Sequence, residues 1–204
     1  MGTAESSDST FRAERLAAFT DAVIAVAITL LVLDLKLPEG VADAALPTTL
    51  AELSHAFWCY VLSFVVIGAL WVAHHRQFAH IERVDGVLLW LNLFFLMAVA
   101  LIPFVTSVMS EHGGPLPTAL YAAALMASCL MLTAIWWYAS RRPALMPAAV
   151  SLHDRRAGII TPLLIAAVFG VSIGIAYAVD ATAAQWSWLL AALAGPVGDR
   201  LSRA

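Results

Sequence analysis

The chain alternates long apolar runs with short polar segments. The first run covers Leu16–Leu35, contains Asp21 and closes at Asp34; Pro38, Gly40 and Pro47 mark the loop after it. The second covers about Leu53–Ala73 and ends at His74-His75-Arg76. The third covers about Gly86–Met109, with Pro103 near its far end and a Gly113-Gly114-Pro115 turn behind it. The fourth covers Thr118–Ala139 and stops at Arg141-Arg142-Pro143, the fifth Ala157–Val179, and the sixth Ala183–Val197. A helix needs about 20 apolar residues to cross a hydrocarbon core of roughly 30 Å, and most of these runs have that length. The sixth, at about 22 Å of helical rise, barely spans. Lipid cannot satisfy backbone polar groups, so helices are expected, and the alternating short segments of a β-barrel are absent. The pattern predicts an all-α membrane protein with six transmembrane helices.

Composition agrees. The 204 residues are 62% hydrophobic and only 12% charged, about half the charged share of soluble domains. Met1–Thr10 is small, polar and acidic, without the basic-then-apolar order of a signal peptide. We read residues 1–11 as a disordered tail, 12–199 as one membrane domain and 200–204 as a short C-terminal tail. Cys59 and Cys129 lie inside apolar runs and read as small core residues.

The charges give an orientation. Arg12, Arg15, Arg76, Arg83, Arg141, Arg142, Arg155, Arg156, Arg200 and Arg203 fall on one side of a six-span layout, leaving Lys36 alone on the other. By the positive-inside rule both termini are cytoplasmic. The net charge of −3 is confined to helix ends, and no basic block of the nucleic-acid-binding kind occurs.

The stretch Arg15-x-x-x-Phe19-Thr20-Asp21, followed by an apolar run containing Thr29, resembles the first helix of the transmembrane protein 175 family, with Thr20 in place of Ser. Trp71-x-x-His74-His75-Arg76, Arg83-x-Asp85, Leu89-Trp90-Leu91-Asn92-Leu93 and Pro103-Phe104 also look like the family, so the resemblance runs from about Arg12 to Asp180. These are potassium-permeable channels, endosomal and lysosomal in animals, with shorter bacterial homologues. The resemblance implies a six-helix subunit, a homotetramer, and first helices lining a central pore constricted by apolar side chains. It places the narrowest position at Val26 and a hydroxyl at Thr29. Val26 is smaller than the Ile or Leu common there, which predicts weaker selectivity for potassium over other monovalent cations.

Helical geometry at about 100° per residue sets Leu33, Leu30 and Thr29 within about 60° of Val26, in a stripe with Phe19 and Ala22. Asp21 lies about 140° from Val26, so it points away from such a pore. A buried charge costs about 2.5–3.5 kcal/mol on insertion scales and pairs or meets a polar cavity. Arg15, Trp71, His74 and His75 are therefore expected near Asp21 or Thr20, with Asn92 joining by an interhelical hydrogen bond. Asp34 is either an outer-mouth charge that concentrates cations or a solvated helix end. On the residues alone the stripe reads as ordinary helix packing or lipid contact; the resemblance reverses that reading in favour of a pore.

Two other readings exist. His74, His75, His80 and Glu82 suggest a membrane metalloenzyme, but adjacent histidines diverge by about 100° and no metal-ligand motif appears. A secondary transporter would show paired, broken-helix repeats, and Phe19-Thr20-Asp21 occurs once. No nucleophile elbow or nucleotide loop is present, so no catalytic residue, metal or cofactor is assigned. The expected partners are potassium, other monovalent cations and the lipid bilayer.

Overall fold

The computed structural model describes residues 11–147 and 150–203. The stretch read as a disordered tail lies outside these, apart from Phe11. Among the described residues, five helical segments are long and apolar enough to cross a membrane: Ala13–Asp34, Ser54–Phe78, Gly86–Glu111, Pro115–Ser140 and Leu152–Ala178. The chain is a multi-pass helical membrane protein.

The first segment is α1 (Ala13–Leu30), which tightens into a 3-10 turn over Leu31–Asp34. In a 3-10 turn residues three apart eclipse, so Leu33 stacks over Leu30 instead of trailing round the helix. A short α2 (Leu46–Glu52), with Pro47 in its first turn, interrupts the loop before α3 (Ser54–Phe78). The third segment is broken into α4 (Gly86–Ala100) and α5 (Ile102–Glu111). Pro103 explains the break, since it has no N–H to give the Val99 carbonyl and its ring crowds that turn. α6 (Pro115–Ser140) and α7 (Leu152–Ala178) pack together along their length.

The sixth segment differs from the single span read from the sequence. It is α8 (Ala181–Ser187), a 3-10 stretch over Trp188–Leu193 and α9 (Ala194–Arg203). The 3-10 rise of about 2 Å per residue lengthens Ala183–Val197 by only about 3 Å over an α-helix, and the run reaches a contour of about 37 Å because helix continues at both ends, over residues 181–182 and 198–203. α9 also carries helix through residues 200–203, which the sequence reading left as a tail.

One short strand pair accompanies the helices. Phe11–Arg12 (β1) pairs antiparallel with Arg83–Val84 (β2), in the register Phe11 to Val84 and Arg12 to Arg83. The pair ties the start of α1 to the loop between α3 and α4. Asp85 begins α4 beside it, accepting from the Leu88 N–H at 2.9 Å and from the Tyr138 hydroxyl at 2.7 Å. Arg142 sits 3.6 Å from the same carboxylate and 4.5 Å over the Tyr138 ring. This end of the bundle, rich in arginine, is called the basic end below.

The core lies among α1, α3, α4, α5 and α6, with Ile24, Ile67, Leu88, Phe95, Tyr121 and Ile135 at 0–1% exposure. Elsewhere large apolar side chains face outward, among them Trp58, Phe64, Trp90, Phe94 and Phe104. Such a surface is stable against lipid or protein, not against water.

Candidate functional site

α1 has two apolar faces. Leu16, Thr20, Ile24, Ala27 and Leu31 recur at three- and four-residue steps and are buried against α3, α4 and α5. The opposite face carries Phe19, Ala22, Val26, Thr29, Leu30 and Leu33, all exposed. Val26 is 56% and Leu33 59% exposed, although Ile24 on the same helix is 1% exposed. A helix packed on the bundle by one face therefore presents an uncovered apolar stripe on the other. The Thr29 hydroxyl donates to the Val26 carbonyl at 2.9 Å. Its proton is used within the helix, leaving the oxygen lone pairs to face outward. Asp34 is half-buried at the end of the 3-10 turn, with its carbonyl accepting from Lys36 N–H at 3.1 Å.

Behind the stripe lies a polar network. Asn92 Nδ2 donates to Thr20 Oγ1 at 2.8 Å. Asn92 Oδ1 meets His74 Nε2 at 2.8 Å, and because a carbonyl oxygen only accepts, that nitrogen carries the proton. Thr20, His74 and Asn92 are all 0–1% exposed. The His74 ring stacks on Phe78 at 4.2 Å and Phe95 at 5.3 Å, which fixes its plane. Asp21, half-buried, accepts from Trp71 Nε1–H at 2.8 Å, and the Trp71 ring lies 5.7 Å from His75. The structure thus joins Thr20, Asn92 and His74 in one chain of hydrogen bonds and Asp21 to Trp71 in another, with the His75 ring packed beside the Trp71 indole. Arg15 is exposed and forms no ion pair among the described residues.

The histidines of the metal-site reading separate. His74 is committed to Asn92, and His80 Nδ1 meets the Arg76 carbonyl at 2.9 Å. No group of three or more His, Cys, Asp or Glu suited to a metal forms among the described residues.

Other buried polar groups carry no signal in the sequence. Ser63 Oγ lies 2.8 Å from Thr106 Oγ1 and 3.1 Å from the Tyr121 hydroxyl, joining α3, α5 and α6. Partners 43 and 58 positions apart share no local pattern. Gln77 Oε1 is buried with no hydrogen-bond partner among the described residues.

These features define a class: a multi-pass membrane protein whose N-terminal helix is clamped from behind by hydrogen bonds and left apolar and uncovered in front. Comparison with known proteins gives the family. Residues 15–103 match the family described as endosomal/lysosomal potassium channel TMEM175. A potassium channel of Streptomyces collinus is 35% identical over 168 residues, which cover 80% of this chain and 82% of that one. The crystal structure of a lysosomal potassium-selective channel TMEM175 homologue from Chamaesiphon minutus superposes with a TM-score of 0.78 at 26% identity, over 91% of this chain and 97% of that one. The Danio rerio endosomal/lysosomal proton channel TMEM175 is 28% identical over 155 residues, 75% of this chain but 30% of that longer protein. The chain belongs to the TMEM175 family, which is a family of ion channels and not of enzymes.

Proposed function

We infer that this chain is the subunit of a potassium-permeable cation channel. In this reading six spans form each subunit over residues 12–199, and four subunits surround an axis with the exposed face of α1 turned toward it. Val26, Thr29, Leu30 and Leu33 then line the pore. The observation that carries the reading is the uncovered apolar stripe on a helix whose other face packs against α3, α4 and α5. Four copies around an axis would cover it, and its apolar rings would constrict the path.

Hydrophobic constrictions gate by dewetting: a narrow apolar ring expels water and with it the hydrated ion. Rings of Val26, Leu30 and Leu33 would supply the barrier. A ring of Thr29 oxygens between them would replace part of the ion's hydration. Asp34, at the end of the turn, would raise local cation concentration and repel anions. Asp21 would act as a clamp and not as an ion ligand, because it faces α3 through Trp71. The arginine-rich end would face the cytoplasm, with both termini there, in the plasma membrane of a bacterium.

Potassium efflux from liposomes tests the reading. Wild-type protein should dissipate a potassium gradient, and Val26→Ala and Thr29→Ala should change the rate or the potassium-to-sodium ratio. Unchanged flux in both variants would remove the stripe from the pathway. The name of the Danio rerio relative raises proton conduction as a second reading; an internal pH dye in the same liposomes separates the two.

A further inference from the structure

Several guanidiniums at the basic end are engaged by the protein itself. Arg155 gives its N–H groups to the Ser140, Pro147 and Val150 carbonyls. Arg142 reaches Asp85, and Arg141 lies 4.5 Å over the Trp137 ring. Arg156 and Arg203 differ. Both are exposed, and neither forms a hydrogen bond or ion pair among the described residues. They line one open cavity of about 580 Å³ between the start of α7 and the end of α9, together with Leu152, His153 and Ser202. The two arginines stand on different helices, so their meeting is a product of the packing of α9 on α7. That packing is close: Ala194, Gly198 and Ser202, four apart, are buried, and a Cβ at Gly198 would strike the Thr161 hydroxyl.

Among the described residues no carboxylate lines this cavity. The neighbouring Asp154 is occupied, accepting from the Ser151 hydroxyl at 2.6 Å and meeting His153 Nδ1 at 3.4 Å. The Ser202 hydroxyl donates to the Asp199 carbonyl at 3.0 Å. The wall therefore carries two positive charges that no protein group neutralises. Two guanidinium forks converging from separate helices suit an oxyanion with several acceptor oxygens, as in a phosphate. An apolar element lies beside them: Leu152, in the same wall, is 76% exposed. Elsewhere on α9, Val197 and Leu201 face outward four residues apart. Apolar side chains next to arginines suit a helix end at headgroup depth, where the first meet acyl carbons and the second meet phosphates. A soluble phosphate would leave Leu152 in water; a phospholipid covers it.

We propose that this cavity holds the headgroup of an anionic phospholipid, of the phosphatidylglycerol class. Its phosphate lies between Arg156 and Arg203, and its glycerol and first acyl carbons lie against Leu152. A zwitterionic lipid offers the same phosphate but adds an ammonium, which the two guanidiniums repel and no lining carboxylate receives. The proposal needs the arginine-rich end at a membrane surface and is independent of ion conduction.

Native mass spectrometry of the delipidated protein, titrated with dioleoyl phosphatidylglycerol, dioleoyl phosphatidylcholine and free glycerophosphoglycerol, tests it. Phosphatidylglycerol should bind about tenfold more tightly than phosphatidylcholine, a factor equal to about 1.4 kcal/mol. Arg156→Gln and Arg203→Gln should each remove most of that preference and leave phosphatidylcholine binding unchanged. Arg200→Gln removes the same charge from α9 outside the cavity and should keep the preference. Equal binding of the two lipids, or an unchanged preference in the Arg156→Gln, Arg203→Gln double variant, would overturn the proposal. So would an Arg200→Gln effect as large as that of Arg203→Gln, which would reduce the preference to diffuse surface charge. Free glycerophosphoglycerol binding as tightly as the lipid would assign the cavity to a soluble phosphate ester instead. Should Arg156→Gln fail to fold, Arg203→Gln set against Arg200→Gln decides the matter.

Discussion

Asn92 Nδ2 donates to Thr20 Oγ1 across 2.8 Å, so one buried amide joins α4 to the helix that carries the outward stripe. The same amide accepts from His74 on α3. Replacing Asn92 with Leu would leave the Thr20 hydroxyl and the His74 N–H without partners in a low-dielectric interior. A loss of about 1–3 kcal/mol in stability is expected, read as a lower thermal midpoint in detergent. An unchanged midpoint would show that the two bonds do not hold the helices together.

Asp21 and Trp71 make a sharper distinction. Asn in place of Asp21 keeps a carbonyl acceptor for the indole N–H but removes the charge. If Asp21 is a clamp, Asp21→Asn should leave potassium flux near the wild-type rate. Trp71→Phe, which removes the donor, should lower stability by about 0.6–1.7 kcal/mol. A collapse of flux in Asp21→Asn with normal folding would instead make the carboxylate part of the ion path.

Gly158 tests the packing of α7 on α6. Its missing side chain lets the Trp136 indole lie against the helix, where Nε1 donates to the Arg155 carbonyl at 2.9 Å. Gly158→Ala should displace the ring and cost about 1–3 kcal/mol, measured by thermal unfolding.

The sequence carried much of this arrangement because lipid imposes strong rules. Apolar runs of membrane length, each bordered at one end by arginine, located five long spans within a few residues, since no other structure satisfies the backbone there. The rotation of Asp21 away from Val26 followed from the helical repeat alone, and in the structure Asp21 meets Trp71. What escaped depends on winding or on distance. The 3-10 turns at Leu31–Asp34 and Trp188–Leu193 arise from packing and have no Gly or Pro within them to announce them. The Phe11–Arg12 strand is two residues long, too short for any period to register. The Ser63, Thr106 and Tyr121 cluster and the orphan Gln77 oxygen exist only once distant helices come together.

Size at Val26 should set the barrier. Val26→Ala widens an apolar ring and eases wetting, so faster cation flux with weaker discrimination between potassium and sodium is expected. Val26→Leu should slow it. The measurement is flux in liposomes under potassium and then sodium gradients. Slower flux in Val26→Ala, or faster flux in Val26→Leu, would contradict a hydrophobic constriction at this position.

Cysteine accessibility across α1 tests the pore lining most directly. Cys59 and Cys129 are buried, so the native background is low. Val26→Cys and Thr29→Cys should let a water-soluble cationic thiol reagent block potassium flux in liposomes, while Ile24→Cys and Ala27→Cys on the packed face should not. Block at Ile24 or Ala27, or flux untouched at Val26 and Thr29 despite potassium conduction, would contradict a pore lined by the exposed face of the first helix.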